Sequence, residues 1–368
     1  MAITKQIVLS GYYGFDNIGD EAVLFSIVSL IKKEIPAANI VVLSNNPEKT
    51  KATYNVESIN RWDLKQVAKV IKASDLLISG GGSLLQDVTS SKTIPYYLGI
   101  VKIAQFYKKK VVFYSQGIGP VNKGFSKTLI KMIVNKVDAI FVREPASKAL
   151  LEEIGVKQPV EVSIDPVIGI NLGREVATRG TKVQKPSVGV YIRPWQNEAH
   201  DENLLQSMTP VLGKLVSEGY KVYLIPMHYE QDREIAFKLK DKLIGGKLAA
   251  KEEVEVVDKM LSIEEVLDYT SSFDMIIGMR LHSLIMAAAE KVPMVALSYD
   301  PKVTAFMKEI NQVSYCLDSD KVTAESFSRE VERLLEHKEK QKQELIEVFE
   351  QKKDKIYLPI NKVKDLLK

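Results

Sequence analysis

Short, continuously apolar runs alternate with longer amphipathic segments along almost the whole chain. The first half contains the runs QIVLS, NIVVLS, DLLIS, KVVFY and AIFV, and the second half contains VGVYI, KVYLI, DMIIG and PMVAL. Unbroken apolar runs of this length are typical of parallel strands that are covered by helices on both faces. The pattern therefore predicts an α/β protein in which strands and helices alternate.

The segments between these runs have helical spacing, and one polar stretch interrupts the alternation. Helices are predicted at about 20–34, 64–73, 96–107, 146–155, 203–218, 232–243, 262–272 and 280–290. The stretch NLGREVATRGTKVQKPS has no clear period and is interpreted as a linker. We therefore predict an N-terminal Rossmann-like domain over 1–172, a linker over 173–187, a C-terminal Rossmann-like domain over 188–335, and a helical basic tail over 336–368.

Two successive Rossmann-like domains followed by a long helix predict a glycosyltransferase-B-like architecture. In this fold class we expect the two domains to face a central cleft, with the site at the carboxyl ends of both sheets. Polar residues that directly follow strands are therefore the first candidates for function.

Composition narrows the class of protein. The chain has 368 residues, with 45% hydrophobic and 27% charged residues, which is a globular composition. A single cysteine fits a reducing cytosol, and one cysteine with four scattered histidines predicts no dedicated metal site. The net charge of +4 is too small to indicate nucleic-acid binding.

Residues 351–368 carry six lysines and two aspartates. This basic tail either attracts an anionic membrane surface or forms a solvated helix.

The first candidate loop is GYYGFDNIGDEA, which follows the first predicted strand. Its glycines do not form the GxGxxG pattern, so no nicotinamide cofactor is predicted. Asp16 and Asn17 offer a carboxylate and an amide, which together can hold the vicinal hydroxyls of a sugar. Ordinary turn chemistry explains an Asp-Asn pair equally well.

Two further glycine-rich strand ends and one arginine complete the candidates of the first domain. Three consecutive glycines in SGGGSLLQD allow a ligand to approach the backbone closely. YSQGIGP adds Gln116, and VREPAS places Arg143 at a strand end, where its guanidinium fork suits a carboxylate or phosphate. An ion pair between Arg143 and Glu144 or Asp165 is the structural alternative.

In the second domain, GMRLHSL joins a predicted strand to a predicted helix, and SYDPKV follows the next strand. Arg280, His282 and Lys302 would form a cationic pocket beside a helix N-terminus, where anions bind readily. The helix field disfavours imidazolium and a bound dianion favours it, so His282 is placed to gain a proton when an anion arrives. The secondary candidates are Arg193, His228, Gln231 and Asp232.

Taken in order, these motifs resemble the polysaccharide pyruvyl transferase family over nearly the whole chain. The matching segments are GYYGFDNIGDEA, SGGGSLLQD, YSQGIGP, VREPAS, SIDP, GMRLHSL and SYDPKV. The closest resemblance is to the CsaB-type bacterial enzymes that pyruvylate N-acetylmannosamine in the secondary cell-wall polymers that anchor S-layer proteins.

The resemblance implies an enzyme that uses phosphoenolpyruvate as co-substrate and needs no cofactor. It implies a 4,6-pyruvate ketal on a β-linked N-acetylmannosamine of a lipid-diphosphate-linked acceptor, with release of phosphate. It also implies work in the cytoplasm, peripherally at the inner face of the cell membrane. The implied donor side lies in the second domain and the acceptor side in the first.

The resemblance also implies residue roles. His282 is the expected general acid, and Asp16 is expected to orient or deprotonate an acceptor hydroxyl. The expected donor-binding residues are Arg143, Lys302, Arg280 and Ser283. The expected acceptor-binding residues are Asp16, Asn17, Gly81, Gly82, Ser83 and Gln116.

Two other functions remain open from the sequence. A nucleotide-sugar-dependent glycosyltransferase of the same fold predicts binding of a uridine or guanosine nucleotide to the second domain. A non-catalytic glycan-binding protein at the membrane needs no cationic pocket, so the cluster of Arg280, His282 and Lys302 argues against it.

Overall fold

The structure, a computed structural model, describes residues 5–88, 90–172, 183 and 186–368. The chain divides into two compact units: Met1–Glu175 with Lys352–Lys368, and Val176–Gln351. The division falls within the predicted linker, most of which lies outside the described residues. Ser187, the last residue of the predicted linker, is the first residue of a strand in the second unit.

The first unit is built on a seven-stranded parallel sheet with the order β3-β2-β1-β4-β5-β6-β7. The strands are β1 (Gln6–Ser10), β2 (Asn39–Ser44), β3 (Glu57–Asn60), β4 (Leu76–Gly80), β5 (Lys110–Gln116), β6 (Ala139–Val142) and β7 (Val160–Val162). The central strands are buried along nearly their whole length, which explains their unbroken apolar sequences. Strand β3 was not predicted, because its four residues are largely exposed and only one of them, Ile59, is a large apolar residue.

Side chains cap the free backbone N–H groups at the start of three helices of the first unit. The helices are α1 (Ile18–Glu34), α2 (Pro47–Tyr54), α3 (Leu64–Ala73), α4 (Thr93–Phe106), α5 (Gly124–Val134) and α6 (Pro145–Ile154). Asn17, Asn46 and Asp63 accept hydrogen bonds from backbone N–H groups in the first turns of α1, α2 and α3. A 3-10 helix over Pro166–Leu172 follows β7.

The second unit contains a six-stranded parallel sheet with the order β10-β9-β8-β11-β12-β13. The strands are β8 (Ser187–Tyr191), β9 (Lys221–Leu224), β10 (Val254–Val256), β11 (Met275–Gly278), β12 (Met294–Ser298) and β13 (Cys316–Asp318). The helices are α7 (Glu198–Ser217), α8 (Tyr229–Gly245), α9 (Ile263–Ser272), α10 (Leu281–Glu290), α11 (Pro301–Glu309) and the part of α12 (Ala324–Leu367) that precedes Lys352. Short 3-10 helices occur at Lys251–Glu253 and Val313–Tyr315.

The C-terminal segment differs from the separate basic tail predicted over 336–368. Helix α12 is interrupted at His337, and its last part, Lys352–Lys368, belongs to the first unit. The apolar residues of this part recur at helical spacing and are buried: Ile356, Ile360, Val363 and Leu367. A Cβ atom at Gly169 would lie 2.7 Å from Ile356 Cγ2, so this glycine leaves room for the helix. The segment is therefore an amphipathic part of the first unit.

The described residues contain neither a membrane-spanning helix nor a cluster of metal ligands. None of the helices is long and apolar enough to cross a bilayer. No group of three or more histidine, cysteine, aspartate and glutamate residues in that part of the chain is arranged to hold a metal ion.

Candidate functional site

Each sheet reverses its strand order at one point, and several candidate residues follow the strands beside those two points. In the first unit, β1 lies between β2 and β4, so the chain leaves the sheet on opposite sides there. In the second unit, β8 lies between β9 and β11 in the same way. Open α/β sheets bind ligands at the carboxyl ends of strands beside such a switch point.

The loop after β1 holds Asp16 and Asn17 in different ways. Asp16 has a φ of +58°, a left-handed conformation that aspartate tolerates better than most residues. Its exposed carboxylate accepts a 2.6 Å hydrogen bond from Lys49 Nζ. Asn17 caps α1, since its Oδ1 accepts from the backbone N–H of Gly19 at 3.0 Å. Turn and capping chemistry, the alternative weighed from the sequence, is therefore present at both residues.

Sequence reasoning did not select Asp20 as a site residue, yet the structure gives it an unusual environment. Burial raises its pKa to about 7, the neighbouring carboxylates of Glu21 and Asp165 add to this, and the charge of Arg143 opposes it. Asp20 lies in the first turn of α1, and a Cβ atom on Gly82 would be 3.0 Å from its Oδ1. A proton that exchanges near neutral pH thus lies beside the glycine-rich loop.

Gly81 and Gly82, the two glycines directly after β4, have separate reasons to lack side chains. A Cβ atom at Gly81 would overlap Val23 Cγ1 at 2.0 Å, so Gly81 is required by the packing of α1. Gly82 has a φ of +74° and faces Asp20. The loop therefore brings its backbone close to the start of α1, and Ser83 follows directly.

Arg143 lies after β6 and is almost fully buried among oxygen atoms. Its Nη1 donates to Asp165 Oδ2 at 2.7 Å, its Nε donates to Glu144 Oε2 at 2.8 Å, and its Nη2 donates to Ser83 Oγ at 3.2 Å. The ion pairs weighed as the structural alternative are thus both present. Arg143 as a donor-binding residue stays a prediction.

Gln116 does not fit the predicted contact with an acceptor in this structure. It is 0% exposed at the end of β5, and its Nε2 donates to Ser79 O at 2.9 Å and to Ser79 Oγ at 2.7 Å. The side chain therefore joins β5 to β4 from inside the sheet. The sequence showed a polar residue at a strand end but not the direction of its side chain.

In the second unit, Arg280 is the N-terminal cap residue of α10 and forms a buried ion pair. Its Nη2 donates to Asp232 Oδ1 at 2.5 Å, and its Nε donates to Asp232 Oδ2 at 2.6 Å. Asp232 is 0% exposed and also accepts from the backbone N–H groups of Met227 and His228. The pair fixes the loop after β9 against the start of α10, so the charge of Arg280 is already balanced.

His282 and Lys302 lie in the first turns of two helices that follow neighbouring strands. β11 and β12 pair in parallel, with Gly278 opposite Ala296, and α10 and α11 begin directly after them. Both residues are half-buried. Ser283 is buried, and its hydroxyl donates to Arg280 O at 2.6 Å, which assigns it to the helix start.

Arg193, a secondary candidate, follows β8 on the other side of β11. Its guanidinium lies 4.9 Å from the ring centroid of Tyr299 and 5.5 Å from that of Trp195, and its Nη1 donates to the Tyr299 hydroxyl at 3.2 Å. The ring centroids of Trp195 and Tyr299 lie 4.6 Å apart. Strands β8, β11 and β12 thus bring three cationic or titratable side chains to one edge: Arg193, His282 and Lys302.

A second arginine surrounded by aromatic rings lies in the first unit and was also missed from the sequence. Arg61 follows β3, is 3% exposed, and donates from Nη1 to Gly11 O at 2.8 Å. The ring centroids of four aromatic residues lie 4.5 to 5.3 Å from its guanidinium carbon: Phe15, Trp62, Tyr96 and Tyr97. Its neighbours come from separate segments, so only the fold reveals the cluster.

Three comparisons place the chain among known proteins. The family model described as polysaccharide pyruvyl transferase matches residues 17–301. The amylovoran biosynthesis protein AmsJ of Erwinia amylovora is 22% identical over 318 residues, which cover 79% of this chain and 72% of that protein.

Solved structures show the fold. A UDP-GlcNAc 2-epimerase of Methanocaldococcus jannaschii matches with a TM-score of 0.61 at 14% identity, covering 90% of this chain and 92% of that chain. A glycosyltransferase of Rickettsia africae matches with a TM-score of 0.59 at 13% identity, covering 100% and 99%. The predicted fold class, two Rossmann-like domains of glycosyltransferase-B-like type, is confirmed.

Proposed function

The chain belongs to the polysaccharide pyruvyl transferase family, and on this premise we propose that it transfers the pyruvyl group of phosphoenolpyruvate to a saccharide of a cell-wall polymer precursor. The acceptor proposed is a β-linked N-acetylmannosamine on a lipid-diphosphate carrier, as in the CsaB-type enzymes. The product is a 4,6-pyruvate ketal, with phosphate released. The observation that carries the proposal is the position of His282 and Lys302. They lie in the first turns of α10 and α11, which follow the adjacent strands β11 and β12.

The donor chemistry follows from these two residues. Phosphoenolpyruvate carries a carboxylate and a phosphate, and the N-termini of α10 and α11 favour anions. The permanent charge of Lys302 holds one anionic group. His282, protonated when the dianion is bound, gives its proton to the methylene carbon as general acid. The donor contact predicted for Arg143 would require its guanidinium to leave Asp165 or Glu144, so we assign the principal donor contacts to His282 and Lys302.

The remaining steps balance without a cofactor. Protonation of the methylene carbon makes it a methyl group and leaves an oxocarbenium-like carbon, which one acceptor hydroxyl attacks as it loses its proton. The second hydroxyl then displaces phosphate, which takes up the proton of that hydroxyl, and the ketal closes. Positive charge near the departing phosphate lowers the barrier of this second step. Asp16 is proposed to orient an acceptor hydroxyl by hydrogen bonding.

A thermal-shift comparison separates this function from its main rival. A nucleotide-sugar glycosyltransferase of the same fold would be stabilised by UDP or GDP, because a ligand that binds only the folded state raises its melting temperature. We expect stabilisation by phosphoenolpyruvate and none by the nucleotides. Stabilisation by a nucleotide alone would contradict the proposal.

Work at the inner face of the membrane is proposed from the acceptor and from the C-terminal segment. The apolar side of Lys352–Lys368 is buried in the first unit, while Lys353 and Lys355 are exposed. Such a basic surface is attracted to anionic lipid at up to about 1 kcal/mol per lysine. This attraction would hold the enzyme near a lipid-linked acceptor.

A further inference from the structure

A group of exposed aromatic rings lies at the carboxyl edge of the first unit. We define the aromatic platform as Tyr12, Phe15, Trp62 and Tyr96. Tyr12 and Trp62 are 40% and 57% exposed, and Phe15 and Tyr96 are half-buried. The platform combines the loop after β1, the loop after β3 and the first turns of α4. This is the edge where open α/β sheets bind ligands.

The platform is rigid before any ligand binds. The rings of Tyr12 and Phe15 stack at 4.1 Å with an interplanar angle of 7°. Trp62 Nε1 donates to Asn45 Oδ1 at 2.9 Å, and the Tyr96 hydroxyl donates to Arg61 O at 2.9 Å. Ordered rings lose little conformational entropy on binding, so this arrangement favours affinity.

Arg61 is the second observation that indicates a ligand. Its guanidinium lies within 5.3 Å of the centroids of Phe15, Trp62 and Tyr96. Among the residues that the structure describes, Arg61 forms no ion pair, and its buried Nε has no hydrogen-bond partner. Burying a charge without a carboxylate partner costs free energy of desolvation. The faces of aromatic rings recover only part of that free energy. Arg61 therefore places a buried, unpaired donor beneath the rings of the platform.

The polar groups at the rim are those that recognise hydroxyls. Asp16 and Lys49 are exposed and paired on one side, and Asn45 is exposed beside Trp62. A pyranose ring has an apolar C–H face that packs on an aromatic ring and hydroxyls at its edge that bond to carboxylates, amides and ammonium groups. Large exposed apolar patches rimmed by polar groups mark binding sites.

We propose that the aromatic platform binds a pyranose ring of the acceptor saccharide by stacking, chiefly on Trp62. The inference rests on the proposed function for the identity of the acceptor. It adds stacking contacts to the hydroxyl contacts expected at Asp16 and Asn17.

The test is calorimetric titration of the chain with a synthetic disaccharide that ends in β-linked N-acetylmannosamine. Trp62→Ala should weaken binding about tenfold or more, as expected for loss of a central aromatic contact. Phe106→Ala is the matched control, because Phe106 is 77% exposed at the opposite end of α4 from Tyr96. It should bind the disaccharide like the unaltered chain.

The outcomes separate the platform from the proposed function. Three results would overturn the platform. Trp62→Ala could bind the disaccharide with the affinity of the unaltered chain, the unaltered chain could fail to bind the disaccharide, or Trp62 could prove necessary for binding UDP instead. If the disaccharide binds through Trp62 but phosphoenolpyruvate releases no phosphate, the proposed function fails and the platform stands. If transfer occurs, Trp62→Ala should raise the KM for the saccharide and leave the KM for phosphoenolpyruvate unchanged.

A second inference rests on a different observation, the position of Asp20. Its Oδ1 would lie 3.0 Å from a Cβ atom on Gly82, so it faces the glycine-rich loop closely, and the residue is half-buried at the start of α1. Asp16 is exposed and already paired with Lys49. We propose that Asp20, rather than Asp16, accepts the proton of the attacking acceptor hydroxyl as its oxygen bonds to the ketal carbon.

The surroundings of Asp20 suit proton transfer. Charged and titratable groups from several elements act on it or respond to it: Glu21 of α1, Arg143 after β6, Asp165 after β7, and Tyr12, Tyr13 and Tyr97. Burial raises the pKa of Asp20 to about 7. A base is most effective when its pKa lies near the working pH.

The pH profile of pyruvyl transfer tests this role. The kcat of the unaltered chain should rise through an ionisation near neutral pH, and Asp20→Asn should lower kcat about 10²- to 10⁴-fold and remove that limb. Asp16→Asn should keep the limb. An Asp20→Asn variant with kcat within twofold, or an unaltered chain without the limb, would overturn the assignment. The pH profiles require that the unaltered chain catalyses pyruvyl transfer. That activity is the separate test of the proposed function.

Discussion

At the scale of single residues, environment rather than residue type separates the two aspartates of the first loop. Asp16 is exposed and paired with Lys49, whereas Asp20 lies among Glu21, Asp165 and Arg143. The sequence predicted a functional carboxylate in the loop after β1, because sites in this fold class lie at the carboxyl ends of strands. It could not identify Asp20, because its burial depends on the fold, and two of the charged groups that act on it, Arg143 and Asp165, are more than 120 positions away along the chain.

The environment of Asp20 predicts a pH-dependent stability. Its pKa rises from 3.8 to about 7 on folding, so the folded chain binds this proton more tightly than the unfolded chain. The contribution of Asp20 to the free energy of unfolding should therefore be greatest below the lower value and fall as the pH rises through the higher one, by no more than about 4 kcal/mol. Asp20→Asn cannot ionise and should be the more stable protein at pH about 8, with little difference near pH about 4. Denaturant unfolding at the two values checks this, and equal stability at both would contradict it.

The proposed division of labour between His282 and Lys302 predicts different defects. His282→Ala should lower turnover about 10²- to 10⁴-fold and leave phosphoenolpyruvate binding largely intact, because the histidine contributes a proton. Lys302→Ala should weaken donor binding as well, because a bound anion loses a charged partner. Calorimetry and phosphate release should be measured on both variants. Normal turnover by His282→Ala would mean that GMRLHSL is only a well-formed helix start.

At the scale of elements, regular alternation made most strands and helices predictable, and short exposed elements were missed. The helix predicted at 64–73 matches α3, and the strand NIVVLS matches β2. The short segments β3, α2 and β13 were missed because few of their residues are buried, so no apolar pattern marks them. Contacts between elements, such as the one from Asp232 to Arg280, depend on register and side-chain direction and could not be predicted from spacing.

That contact predicts a structural role for Arg280. Arg280→Ala would leave the fully buried carboxylate of Asp232 without its bidentate partner, which typically costs about 3–5 kcal/mol. Arg280→Lys should recover only part of this, because an ammonium cannot form the same two bonds. Thermal unfolding of both variants measures the effect, with Arg233→Ala as control, since Arg233 pairs with Asp258 at the surface. A loss no larger than that of the control would argue against the role.

At the scale of the whole molecule, charge alone gave an incomplete description of the C-terminus. Residues 351–368 carry a net charge of +4, and this suggested a separate tail. The apolar residues at helical spacing, from Ile356 to Leu367, instead make the segment part of the first unit. Both features were visible in the sequence. What the sequence did not provide was the surface at Gly169 that receives the helix.

Membrane attraction should therefore be tested by charge reversal, because truncation after Glu350 would also expose buried apolar surface. Lys353→Glu with Lys355→Glu should weaken co-sedimentation with anionic vesicles about tenfold or more, and added salt should do the same. Lys65→Glu with Lys69→Glu makes an equal change of charge on the exposed face of α3 and should have a smaller effect. Equal effects of the two pairs would refute a specific role for the C-terminal lysines.

The most direct test of the central claim is mass spectrometry of the product. The purified chain is incubated with phosphoenolpyruvate and a synthetic lipid-linked disaccharide that ends in β-linked N-acetylmannosamine, and released phosphate is measured in parallel. We predict one pyruvyl ketal on each product molecule and one equivalent of phosphate for each ketal formed. An unchanged saccharide, or transfer of a sugar from UDP-GlcNAc in place of the pyruvyl group, would contradict the account.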